Sequence, residues 1–98
     1  MTKQYIINYL SEHKSEFSKK FGITKLGLFG SYAKGNATVN SDIDILIELE
    51  NNFSDIHEKK TLFKETWENY FNTKVDVARE KYLRPLVKQE ILKEIEYV

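Results

Sequence analysis

Apolar positions along the chain alternate between a helical and a strand-like period, and the changes mark the elements. Ile6, Leu10, Phe17 and Phe21 recur near helical spacing with Lys and Glu between them, which predicts an amphipathic first helix. Thr2 suits its N-cap, and Gly22 suits the C′ position that ends it. Lys25 to Phe29 reads as a first strand. Asp42 to Glu50 reads as a second, with Ile43, Ile45, Ile47 and Leu49 on one face. Asn51 and Asn52 then turn the chain. Ser54 caps a second long helix with Asp55 and Glu58 in its first turn, and Ile56, Phe63, Trp67, Tyr70 and Phe71 form its apolar stripe. Lys74 to Ala78 is a third strand with Val75 and Val77 on one side. Pro85 is placed to open a last helix, whose apolar edge is Val87, Ile91 and Ile95. The tail from Glu94 to Val98 reads equally as more helix or as a short strand.

The order helix, strand, strand, helix, strand, helix predicts an α/β fold. We expect a small two-layer sandwich, a mixed sheet with helices on one face. The second and third strands are joined by a helical crossover, right-handed if they run parallel. Ninety-eight residues suit one domain with one modest core.

Composition narrows the function classes. Fifteen basic and fifteen acidic residues cancel, so there is no general electrostatic footprint for nucleic acid. Cysteine is absent, which excludes disulfides and thiolate metal sites. No apolar run reaches the roughly 20 residues of a membrane helix, and the first residues lack the apolar core of a signal peptide. The expectation is a cytoplasmic protein without direct nucleic-acid or membrane binding.

The candidate chemistry lies between the first two strands. Gly30 and Ser31 follow the first strand, ten residues intervene, and then come Asp42, Ile43 and Asp44. Strand alternation puts Asp42 and Asp44 on the side opposite Ile43, on an open or solvated face. Paired carboxylates repel each other unless a cation sits between them, and Mg²⁺ is commonly held by such groups together with substrate phosphates. Glycine permits close backbone approach to a phosphate, to which backbone N–H groups and a hydroxyl then donate. Tyr32 to Lys34 reads as one helical turn, and Lys34 is either a phosphate partner or a solvated loop lysine. Asp76 has the same parity in the third strand as Asp44 in the second, and completes a three-carboxylate cluster if those strands are neighbours. Trp67 is better explained as core than as a base-stacking platform. His13 and His57 are better explained as surface residues than as catalysts.

Gly-Ser, a ten-residue interval and Asp-Ile-Asp resemble the signature of polymerase-beta-like nucleotidyltransferases. The segment from Gly30 to Glu48 is most similar to the minimal nucleotidyltransferases, antitoxins paired with HEPN toxins. Ser41-Asp42-Ile43-Asp44 matches the family form, whereas Lys34 stands where arginine is usual. The resemblance implies that Asp42 and Asp44 hold two Mg²⁺ ions, with Asp76 holding one of them or taking the acceptor's proton. It implies that Gly30 and Ser31 grip the phosphates of ATP. It also implies a partner: a HEPN ribonuclease toxin, forming a hetero-oligomer and silenced by AMP placed on a tyrosine. The short chain suggests an acceptor that is itself another macromolecule or is held by another subunit. Two alternatives remain at this level: an antitoxin that masks its toxin by binding alone, and a subunit that adenylylates a small molecule of the aminoglycoside type.

Overall fold

The computed structural model describes residues 1–50 and 56–98, without the side chains of Ile56 and His57. The expected turn at Asn51 and Asn52, the Ser54 and Asp55 cap, and the roles of Ile56 and His57 lie outside the described residues.

Helix α1 spans Lys3–Phe21. The Thr2 hydroxyl accepts from the Tyr5 N–H, and Gly22 closes the other end in the left-handed region at φ 70°. Strand β1 (Ile23–Phe29) leads into the short helix α2 (Gly30–Lys34), and β2 is Ile43–Leu49. Helix α3 (Ile56–Phe71) crosses to β3 (Val75–Arg79). A 3₁₀ turn, Glu80–Tyr82, precedes α4 (Pro85–Glu94), which has Pro85 in its first turn as expected. The tail resolves as a strand, β4 (Glu96–Tyr97).

The sheet order is β3-β2-β1-β4, with β2 parallel to β3 and the other pairs antiparallel. The sheet is therefore mixed. Ile6, Leu10 and Phe17 of α1 and Phe63, Trp67 and Phe71 of α3 pack with Ile43, Ile45, Ile47 and Val75 in one apolar cluster. Fully burying a side chain of this size contributes about 1.5–3 kcal/mol, so this layer supplies most of the apolar stabilisation. Trp67 is 0% exposed and belongs to the core, as expected.

Several details differ from the sequence reading. Tyr9 is buried within the α1 cluster, whereas Tyr70, expected on the α3 stripe, is 49% exposed and stacks on Tyr9 at 3.9 Å between ring centroids. His13 is half-buried and leans on the same Tyr9 ring, its Nδ1 being 2.9 Å from the Tyr9 carbonyl. Val87 is exposed, so α4 buries Ile91 without it. The face bearing Asp44 is also partly closed. Leu46, two residues along the same side, is fully buried. Opposite it across the β1–β2 pair, Gly27 has no side chain, and Ile95 fills the place where a Cβ would stand, 2.9 Å from Ile95 Cδ1.

Candidate active site

One edge of the sheet gathers the end of β1 and the starts of β2 and β3. Asp44 pairs with Phe29 on one side and with Asp76 on the other. Phe29 runs directly into Gly30. The pairing thus places Asp44 between the glycine-serine turn and the third aspartate, as the parity argument requires. The strand itself starts at Ile43, so Asp42 stands one residue outside the ladder rather than within it. Contacts on its two neighbours fix the backbone around it: Ile43 N–H donates to Lys74 O at 2.9 Å, and the preceding loop is closed by Thr38 N–H donating to Ser41 Oγ at 2.8 Å. Ser41 therefore shapes the loop that delivers Asp42.

Gly30 is required at its position twice over. Its φ is +76°, a left-handed conformation that side chains disfavour. A Cβ there would also collide with the Asp44 carboxylate, lying 2.9 Å from Asp44 Cγ. The turn and the carboxylate are packed as one unit, with Ser31 half-buried beside them.

The electrostatics are those of crowded acids. Burial, then the charges of Asp76, Asp42 and Glu94, push the Asp44 carboxyl up to about 6 from 3.8. Glu94 is the site residue that the sequence reading missed. It lies in the last turn of α4, where its Oε1 accepts from the Gly30 N–H at 3.2 Å and its Oε2 pairs with Lys34 Nζ at 3.2 Å. Lys34 is thus engaged rather than free in solvent. Helical spacing placed Glu94 only near an uncertain helix end. Its neighbours are 60 or more positions away, and no local pattern reports such a contact.

Among the described residues, no three or more His, Asp or Glu side chains already converge as a metal cage. The donor set nonetheless fits a hard cation. It consists of carboxylate groups, one of them raised to about 6 by burial first and by the repulsion of the neighbouring acids second, and a divalent ion between them relieves that repulsion. Asp42, Asp44 and Asp76 are the residues that would hold it.

Comparison with known proteins agrees with this geometry. A nucleotidyltransferase domain model matches residues 10–98. The protein adenylyltransferase MntA of Thermococcus cleftensis is 33% identical over 98 residues, spanning 100% of this chain and 97% of that protein. A solved structure, provisionally described as a minimal nucleotidyltransferase, superposes with a TM-score of 0.80 at 24% identity, over 98% of this chain and 95% of its own. A complex of tri-AMPylated Shewanella oneidensis HEPN toxin with its MNT antitoxin superposes with a TM-score of 0.59 at 17% identity, over 97% and 66%. Among the described residues no helix is long and apolar enough to cross a membrane. With a family match over nearly all its residues and a relative similar from end to end, this chain belongs to the nucleotidyltransferase domain family, in its minimal, MntA-type branch.

Proposed function

We propose that this chain is an antitoxin acting as a protein adenylyltransferase. It transfers AMP from ATP to a tyrosine hydroxyl of a cognate HEPN ribonuclease toxin, releases pyrophosphate and so silences the toxin. The observation that carries this reading is the register that sets Asp44 opposite Asp76 and beside Gly30. The names of the relatives support the acceptor class: one is a protein adenylyltransferase, and another is an antitoxin bound to an AMPylated HEPN toxin.

The residues divide the work. Gly30 N–H and the Ser31 hydroxyl bind the terminal phosphates, and Lys34 supplies charge to them. Asp42, Asp44 and Asp76 would hold Mg²⁺, two ions in this reaction class. Bound there, the metal would neutralise phosphate charge and make the acceptor hydroxyl easier to deprotonate. Asp76 is the most exposed of the three, and in this reading it is the one that meets the acceptor. A tyrosine hydroxyl has an ordinary pKa near 10, so it needs help to attack at neutral pH, and the Asp76 carboxylate takes its proton. The phenolate oxygen then bonds to the α-phosphorus as the bond to pyrophosphate breaks. The protein's contribution is positioning and charge compensation rather than covalent chemistry.

In this reading residues 1–98 work as one domain in the cytoplasm, in a hetero-oligomer with the toxin and without contacting nucleic acid or membrane. The test is incubation with the purified toxin, ATP and Mg²⁺, read by intact mass. The expected result is a toxin heavier by one or more AMP units. A toxin bound and inactivated at unchanged mass would replace this reading with simple masking.

A further inference from the structure

Glu94 uses both carboxylate oxygens on two groups assigned above to the phosphates of ATP. Oε1 takes the Gly30 N–H, and Oε2 takes the Lys34 ammonium, each at 3.2 Å. A backbone N–H has one hydrogen to give, and a polyphosphate brought to the same two donors meets a carboxylate already there. Two anions cannot share that seat without repulsion. We propose that Glu94 is an internal occupant of the phosphate seat, displaced when a triphosphate enters. The inference rests on the reading of Gly30 and Lys34 as phosphate donors.

The surrounding structure fits a side chain that swings while its backbone stays. Immediately after Glu94 the chain is pinned: Ile95 packs against Gly27, Glu96 and Tyr97 pair with Leu28 and Gly27, and Val98 N–H donates to Leu26 O at 2.9 Å. Lys3 also pairs with Glu96 at 3.2 Å. The Glu94 side chain itself is 21% exposed, so it has a way out to solvent. Its departure would remove one of the charges that crowd Asp44. At rest, Glu94 keeps the turn and Lys34 ordered and paired, and nucleotide must compete for them. If the donors are free for only a tenth to a fifth of the time, apparent affinity falls about five- to tenfold.

A merely structural tie between α4 and α2 makes a different forecast, and Glu94→Gln separates the two. Glutamine can still accept from the Gly30 N–H, so a tie largely persists, but the charge on Lys34 is released. With Mg²⁺ present, Glu94→Gln should bind ATP and inorganic tripolyphosphate about five- to tenfold more tightly than wild type by titration calorimetry. Glu90→Gln removes an exposed charge one turn away on the same helix and should change nothing. In a Lys34→Met background the gain from Glu94→Gln should shrink, because half of the contested seat is gone. Equal or weaker binding by Glu94→Gln overturns the inference while leaving nucleotide binding intact, and so does an equal gain in Glu90→Gln. If wild type and Glu94→Gln both fail to bind ATP, the phosphate-seat reading itself is wrong and the inference falls with it.

Discussion

Asp44 stands directly opposite Asp76 across the parallel β2–β3 pair, and a fold that places these acids together works against its own stability. Burial first, and then Asp76, Asp42 and Glu94, raise the Asp44 carboxyl to about 6. The folded protein therefore holds this proton more tightly than the unfolded chain does. The stability it contributes is fully present below about 3.8 and is lost as pH rises through about 6.

It follows that Asp44→Asn should stabilise the metal-free protein at neutral pH while abolishing AMP transfer. The full shift corresponds to about 3 kcal/mol, but solvent screening of a partly exposed group leaves about 1 kcal/mol. In a chain of this size that is a rise of roughly 4–8 °C in Tm. Melts in EDTA at several pH values test it. The variant's advantage should be small near pH 4, grow up to about pH 6 and then level off. A variant no more stable than wild type at pH 7.5 would contradict the crowding of these acids.

Gly30 and Gly35 form a natural pair for testing the turn. Both have positive φ, +76° and +80°, but a Cβ at Gly35 meets nothing within 4 Å. Gly35→Ala should cost only backbone strain, about 1–2 kcal/mol, and retain transfer. Gly30→Ala adds the collision with Asp44 and should cost more, with loss of nucleotide binding. Combining Gly30→Ala with Asp44→Ala should recover part of the lost stability, a non-additivity expected of touching side chains. Denaturant midpoints of Gly35→Ala, Gly30→Ala, Asp44→Ala and the double variant supply the comparison, and simple additivity would mean that Gly30 and Asp44 do not meet.

Ser31 is predicted to act on the nucleotide alone. Losing one hydroxyl contact costs about 0.5–1.5 kcal/mol, roughly two- to twelvefold in affinity. Ser31→Ala should raise the KM for ATP by such a factor, with an unchanged circular dichroism spectrum. Identical kinetics in the variant would remove the hydroxyl from the site.

How much of this was legible in the sequence follows from the range over which each signal acts. Caps are local, so Thr2 and Gly22 could be read directly, and both hold in the fold. Strand parity is local too, which is why Asp44 and Asp76 could be matched before their strands were known to be neighbours. Glu94 and Ile95 depend on contacts with Gly30 and Gly27, more than 60 positions away, and nothing near them in the chain records those partners. Tyr9 and Tyr70 failed for another reason. An aromatic ring with a polar tip fits either side of a stripe's border, and here they stack across that border, one buried and one exposed. The two-residue strand β4 has too few positions to show a period at all.

In the proposed reaction, Asp76 separates chemistry from binding. It is exposed, whereas Asp44 is half-buried against the glycine-serine turn, so its loss should leave the proposed nucleotide seat in place. Asp76→Asn preserves shape and hydrogen-bonding capacity but can neither take a proton nor bring a full charge to a metal ion. Losing a positioned general base typically costs about 10²–10⁴ in rate. The variant should therefore bind ATP and the HEPN partner as wild type does and yet leave the toxin unmodified. Cells expressing the toxin offer the decisive setting, with growth measured alongside the intact mass of the co-expressed toxin. An enzymatic antitoxin requires that Asp76→Asn fail to protect and that the toxin mass stay unshifted. Masking requires only binding, and under it the variant protects as well as wild type does. Full protection by Asp76→Asn at unchanged toxin mass would show that the carboxylate cluster, destabilising as it is, has no part in neutralisation.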